Sequence, residues 1–177
     1  MEAFRQKGYL AVSIKDLEEA TGLRSGSLYH AYRDKDGLFR AAMSHYNRVV
    51  LEARIAEHAD EAAGLKGLRN LFASLMHEPN DGSFGCLITN TAVELGGGKD
   101  VPSDVNVGLQ TLHALFLSRL LSARRAGALP RQTKPASGAI RLLSLYQGIL
   151  VLVRAGWEKA ALEMMVNDEF DKLEKGL

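Results

Sequence analysis

SIKDLEEATGLRSGSLYHAYRDKDGLFRAAM, residues 13–43, is the stretch that decides how this chain is read. Ser13 stands before a run in which Ile14, Leu17 and Ala20 recur at helical spacing, so its hydroxyl is placed to accept an orphan N–H of the first turn. Asp16 and Glu18 follow early, where negative charge complements the helix dipole. Gly22 offers a backbone that turns with positive φ, which a sharp corner between two helices needs. Leu23 packs back across the corner, and a second helix is expected from about Ser25 to Ala31. A helix, a tight turn and a second short helix form a unit that lays its second helix in the DNA major groove.

The second helix has chemistry suited to that task. Arg24, Ser25 and Ser27 cluster at its N-terminal end, where short polar groups and one guanidinium approach base edges and phosphates. Gly26 removes a side chain where backbone has to come close to DNA. Tyr29, His30 and Tyr32 carry polar tips on rigid rings, suited to phosphate oxygens, and Lys35 at the start of the next helix is expected to point at the DNA backbone. Leu28 faces inward with Leu17 and Leu38. The same spacing also occurs in three-helix cores whose polar residues are simply solvated, so chemistry alone leaves both readings open.

Phe4, Lys7, Gly8 and Tyr9, then Ser13 to Leu17, Thr21 to His30 and Tyr32 to Phe39, together resemble the DNA-binding domain of the TetR family over residues 1–45. The resemblance implies an all-α, dimeric repressor with a divergent C-terminal ligand-binding domain. It assigns the family's DNA-contacting positions to Ser25, Gly26, Ser27, Tyr29, His30 and Lys35. Three residues depart from the family pattern: Val12 replaces a threonine common near the phosphates, Arg24 replaces a small N-cap, and Ala31 replaces a common histidine. Arg24 is expected to add a base or phosphate contact while weakening the cap by ~1 kcal/mol. Relatives also carry more of the first helix before the position of Phe4, whereas Met1 precedes it here by three residues. A truncated or misassigned start is the expectation.

Composition permits this reading without demanding it. The chain has 177 residues, is 46% apolar and 24% charged, and has a net charge of +1. Residues 1–48 hold eight Lys/Arg and six Asp/Glu, a net of +2, which is a weak electrostatic signal for DNA. No uninterrupted apolar run of about 18 residues occurs, so no membrane span is expected. The N-terminus lacks the basic and apolar regions of a signal peptide. A single cysteine suits a reducing cytoplasm. With no Cys/His cluster, neither a metal nor a cofactor is expected.

Spacing of three and four residues is widespread and strand-like alternation rare, which predicts an all-α chain: a three-helix head at 1–45 joined to a ligand-binding and dimerisation domain at 46–177. The joint is expected to be one unbroken helix from about Asp34 to Ala62. Further helices are predicted to end near Glu78-Pro79, then at 86–95, 105–126, 139–155 and 157–173, with a loop at 131–138. The helix at 139–155 is apolar on most sides, so it is read as buried and as meeting a second subunit. The family resemblance implies that it and the last helix build a four-helix homodimer interface.

Phe84 to Leu95, FGCLITNTAVEL, is similar to a segment of one TetR subgroup in which a Gly-Cys pair opens a helix. Cys86 at a helix N-terminus is read either as a reactive thiol sensing an electrophile or, more commonly, as a small buried apolar residue. No other cysteine is present to resolve it. Phe84, Cys86, Asn90, His113, Phe116 and Tyr146 are the candidate effector-binding residues, polar tips and apolar walls for a small molecule. The five histidines share no motif with a nucleophile or paired carboxylate, and Gly96 to Gly98 lacks phosphate-loop spacing, which argues against an enzyme. The leading expectation is therefore a repressor released from a pseudo-palindromic duplex operator by its effector. A dimeric helical module that has lost DNA binding is the second reading; it predicts no salt-dependent affinity for any duplex.

Overall fold

The computed structural model describes residues 1–77, 84–96 and 102–176, and all regular structure among them is helical. In chain order the helices are α1 (Glu2–Lys7), α2 (Ile14–Thr21), α3 (Ser25–Tyr32), α4 (Lys35–Tyr46), a π-helical segment (Asn47–Glu52), α5 (Ala53–His58), α6 (Gly64–Ala73), α7 (Leu87–Leu95), α8 (Ser103–Arg125), α9 (Pro135–Arg154) and α10 (Lys159–Lys175). The chain divides into two compact units, one of residues 1–51 with 84–108 and the other of 52–83 with 109–177. The expected division at residue 45 is a different one, because α7 and the start of α8 group with the N-terminal head.

In the first unit Phe4, Val12, Leu17, Leu28, Phe39 and Met43 form a closed core. The Phe39 ring lies 4.8 Å from that of Phe4 and 4.7 Å from that of Tyr9. Each such buried ring contributes about 2 kcal/mol by leaving water. Ser13 caps α2 through a capping box, accepting the Asp16 N–H while Asp16 accepts the Ser13 N–H. Gly22 ends α2 in the left-handed conformation at φ +70°.

α7 is held to this head by polar bonds. The Arg5 guanidinium donates to the Gly85 carbonyl at 2.8 and 3.0 Å. The Asn90 amide donates to the carbonyls of Arg5 at 3.2 Å and Phe84 at 2.9 Å. The Glu94 carboxylate accepts the Tyr9 and Leu10 N–H groups at 2.8 and 2.7 Å.

The second unit is centred on Phe72, whose ring lies 5.4 to 5.7 Å from those of Phe116, Tyr146 and Phe170. Tilted and edge-on aromatic pairs add about 0.5–1.5 kcal/mol each beyond burial. Arg69 of α6 binds Asp171 and Glu174 of α10 and lies over the Phe170 ring.

Three expectations need correction. The unbroken helix expected from Asp34 to Ala62 stops at His58 and contains a π-helical turn at Asn47–Glu52. There the buried Asn47 side chain donates to the Asp104 carbonyl at 2.8 Å, so the π-helical turn starts at a residue with a tertiary partner. The expected loop at 131–138 is shorter, because Pro135 opens α9: its fixed φ and missing N–H suit the first helical position. Nor is α9 buried all round. Ile140 is 59% and Val151 49% exposed, while Leu142, Tyr146, Ile149 and Leu150 are buried. By length and composition α9 is also apolar enough to cross a membrane, with a mean hydropathy of 1.6, although Arg141 on its outer side binds Glu169 of α10 at 2.6 Å.

Candidate nucleic-acid interface

α3 presents its polar side outward and anchors itself through Leu28, its one buried residue. Arg24, Gly26, Ser27, Tyr29 and His30 are exposed and Ser25 half-buried, so the corner after Gly22 brings six of the seven predicted residues to one short helix. Lys35 lies apart from them at the start of α4. Its ammonium sits 4.8 Å above the Tyr9 ring and 3.4 Å from the Leu10 carbonyl. Tyr9 in turn hydrogen-bonds through its hydroxyl to Asp36.

Gly26 has no role in the protein's own packing. A Cβ placed there meets nothing within 4 Å, and its φ is not in the left-handed range. Glycine inside a helix is worse than alanine by up to ~1 kcal/mol, so the fold alone favours alanine. Gly37 is the contrast: a Cβ there would lie 2.0 Å from the Tyr32 carbonyl oxygen, so the corner between α3 and α4 requires glycine. In that corner Arg33 adopts φ +69°, ψ −51°, the only positive φ among the described non-glycine residues.

The N-terminus of α3 is capped from outside the helix. Arg24 occupies the N-cap and makes no side-chain cap bond. The Glu18 carboxylate of α2 accepts the Ser25 N–H instead, at 2.6 Å. At the start of α2, Lys7 binds Asp16. The Lys7 bond, with the Ser13 N–H and hydroxyl behind it, holds the Asp16 carboxyl well below its ordinary pKa.

Residues 1–42 match the family described as bacterial regulatory proteins, tetR family. Over 173 residues the chain is 30% identical to the HTH-type transcriptional repressor ComR of Escherichia coli K12, an alignment covering 94% of this chain and 80% of that protein. The chain belongs to the TetR family of bacterial regulatory proteins. Its fold is similar to that of the regulatory protein TetR from Rhodobacter sphaeroides, at TM-score 0.84 and 21% identity over 96% of this chain and 92% of the other. It is also similar to CifR, a TetR family transcriptional regulator solved as a cysteine mutant with 26-bp double-strand operator DNA, at TM-score 0.81 and 23% identity over 97% and 91% of the two chains.

Of this TetR-family chain's departures from the family pattern, Val12 is a core residue, 1% exposed, and Arg24 is an N-cap without a side-chain bond. The six candidate effector residues divide evenly between the two units. In the first, Phe84 is exposed, Cys86 is a buried free thiol at the N-cap of α7, and Asn90 binds backbone carbonyls. In the second, His113 is half-buried on α8, while Phe116 and Tyr146 are buried with ring centroids 6.0 Å apart.

Glu18 and Glu94 escaped sequence reasoning as hydrogen-bond partners. The signal for Glu18 was present: a poor N-cap at Arg24 requires an acceptor from elsewhere, and a carboxylate stands one helix back. Glu94, an acid in an otherwise apolar helix, gave a weaker hint.

Proposed function

We propose that this protein is a transcriptional repressor that reads a pseudo-palindromic duplex operator as a homodimer and is released by a small-molecule effector. The observation that carries the DNA reading is Gly26. An exposed helix that keeps a glycine with no intramolecular reason for it is adapted to a surface that comes close from outside, and the polar groups around it suit a phosphate-lined groove. Membership of the TetR family and the operator complex of the similar CifR support it. The contact residues proposed are Arg24, Ser25, Gly26, Ser27, Tyr29 and His30, with Lys35 at the start of the next helix.

Dimerisation is proposed through α9 and α10. Ile140, Ser144, Leu145, Gly148 and Leu152 of α9 and Met165 of α10 line a shallow groove of about 470 Å³. Gly148 again has open space where a Cβ would stand, which leaves room for a partner helix to approach. A second copy covering this face accounts for the apolar outer side of α9 better than a membrane does, because Arg141 and Glu169 pair beside the groove. A homodimer carries two recognition helices, the number that a pseudo-palindromic operator with two half-sites calls for. A cytoplasmic location follows from that function.

Of the candidate effector residues, Phe84, Cys86 and Asn90 of the first unit are the ones proposed to meet the ligand. Asn90 links a ligand to the head most directly: the amide that would meet the ligand also holds the Arg5 carbonyl at the end of α1. An effector that draws this amide away must bind the released form more tightly than the DNA-competent one, or it shifts nothing.

Fluorescence-anisotropy titration against the duplex immediately upstream of the protein's own coding sequence, with a scrambled duplex as control and at two salt concentrations, tests the reading. Sequence-selective affinity that falls steeply with salt is expected. Equal, weak binding to both duplexes would count against autoregulation, and failure to select any sequence from a randomised duplex library would count against DNA reading altogether.

A further inference from the structure

We propose that Glu18 is a positioning residue for operator reading: it caps the recognition helix from the neighbouring helix and so frees Arg24 to contact DNA. The inference rests on the DNA-reading function proposed above.

A helix begins with N–H groups that have no partner within it. In α3, Ser27 and Leu28 donate to the Arg24 carbonyl at 2.9 and 3.1 Å, which leaves the first turn's Ser25 N–H to be satisfied from elsewhere. A serine, threonine or aspartate at the N-cap ordinarily steadies this first turn from within the helix, by accepting the next N–H groups, those of Gly26 or Ser27. Arg24 has no acceptor to offer. Glu18 lies on α2 in the turn before Gly22 and reaches the Ser25 N–H at 2.6 Å. The bond is charge-assisted, and it places a carboxylate at the positive end of the α3 dipole. It also ties the two helices together across the corner, fixing the angle at which α3 leaves Gly22.

The consequence for reading is a division of labour. A residue that caps from within must turn its side chain back onto the helix. With Glu18 capping, the Arg24 guanidinium is exposed at the N-terminal end of the helix, where DNA-contacting residues of such helices stand. The arrangement sets a bidentate cation where a small cap would otherwise be, and it holds the flanking Ser25 and Ser27 in register. Arg24 and Glu18 are thus one functional pair, although their side chains point to different partners.

The test measures two quantities on the full-length protein. One is amide exchange at Ser25 and Gly26, followed by NMR. The other is affinity for the duplex that the unaltered protein selects from a randomised library. Glu18→Ala is expected to speed Ser25 exchange about tenfold and to weaken DNA binding about fivefold, the factor an N-cap is worth. Glu18→Gln keeps an acceptor oxygen and is expected to rescue both. Arg24→Ser in the Glu18→Ala background is expected to restore protection at Gly26, the N–H an internal cap serves, while Ser25 exchange stays fast. Affinity stays low in that double variant, because the guanidinium is gone. Arg24→Ser alone should leave protection intact and still lower affinity and its salt dependence.

Unchanged Ser25 exchange in Glu18→Ala overturns the cap. Faster Ser25 exchange in Glu18→Ala, with affinity unaltered in both Glu18→Ala and Arg24→Ser, overturns the role in reading. A protein that selects no duplex at all overturns the DNA-reading function and this role with it, while Ser25 exchange still decides whether Glu18 is the cap.

Discussion

Arg33 sits where helices most often place glycine, one residue past the end of α3 and with positive φ. An L side chain held there stores about 1–3 kcal/mol, partly offset in a glycine variant by the greater freedom of its unfolded chain. Arg33→Gly is therefore expected to raise stability by about 1 kcal/mol, measured by urea denaturation. Asp16 makes a pH-dependent contribution. Its carboxyl is held below its ordinary pKa by Lys7 and by the Ser13 N–H and hydroxyl, and Asp171 is lowered likewise by its hydrogen bond from Arg69. Groups with depressed folded values stabilise the native state fully above the unfolded pKa of about 3.9 and lose that stabilisation as pH falls below it. The urea midpoint should fall as pH drops below about 4, and Asp16→Asn should flatten that slope by lowering the midpoint at neutral pH towards its acid value. An identical acid slope in the variant would show that the Lys7 pair contributes nothing to it. The capping box at Ser13 was legible in the sequence because it is local. The Glu18 bond was not, because it spans a corner whose angle only the folded head defines.

At the scale of elements, α7 acts as a clasp on the head. Glu94 satisfies two N–H groups of the loop between α1 and α2, and Asn90 holds the end of α1. Removing the carboxylate leaves those donors partly solvated, so Glu94→Ala should cost about 1 kcal/mol, with the loss read as faster amide exchange at Tyr9 and Leu10. If exchange there stays unchanged, the clasp is not what orders the loop. The same scale explains where sequence reading stopped. Helix existence was legible almost throughout, since apolar spacing reports which face packs. The π-helical turn at Asn47–Glu52 was not, because its apolar spacing reads as ordinary helix and the Asp104 carbonyl that its first residue meets lies 57 residues away. Asn90 is ambiguous in the sequence for a similar reason: a polar group in an apolar helix marks a partner without saying which. Phe116 and Tyr146 were equally ambiguous, and both are members of the aromatic cluster around Phe72.

For the whole molecule, the proposed dimer and the proposed DNA reading stand or fall in linked ways. Ile140 is exposed beside the Gly148 groove, so a charge there should disturb only the association. Ile140→Glu is expected to shift sedimentation towards a single protomer and to lower operator affinity about a hundredfold or more, since two half-sites are no longer bound together. A variant that stays dimeric would move the interface elsewhere. The apolar character of α9 was plain in the sequence, but the split between its buried and open faces emerged only once Phe72 and α10 were seen to cover one side. α3 is proposed to meet DNA with bare backbone at Gly26, and Gly26→Ala, with stability and operator affinity measured on the same preparation, separates packing from reading. The two are expected to move in opposite directions: stability rising by up to about 1 kcal/mol, because helical alanine replaces glycine in open space, and affinity falling about tenfold or more. Unchanged affinity in a stabilised Gly26→Ala protein would contradict the proposed contact.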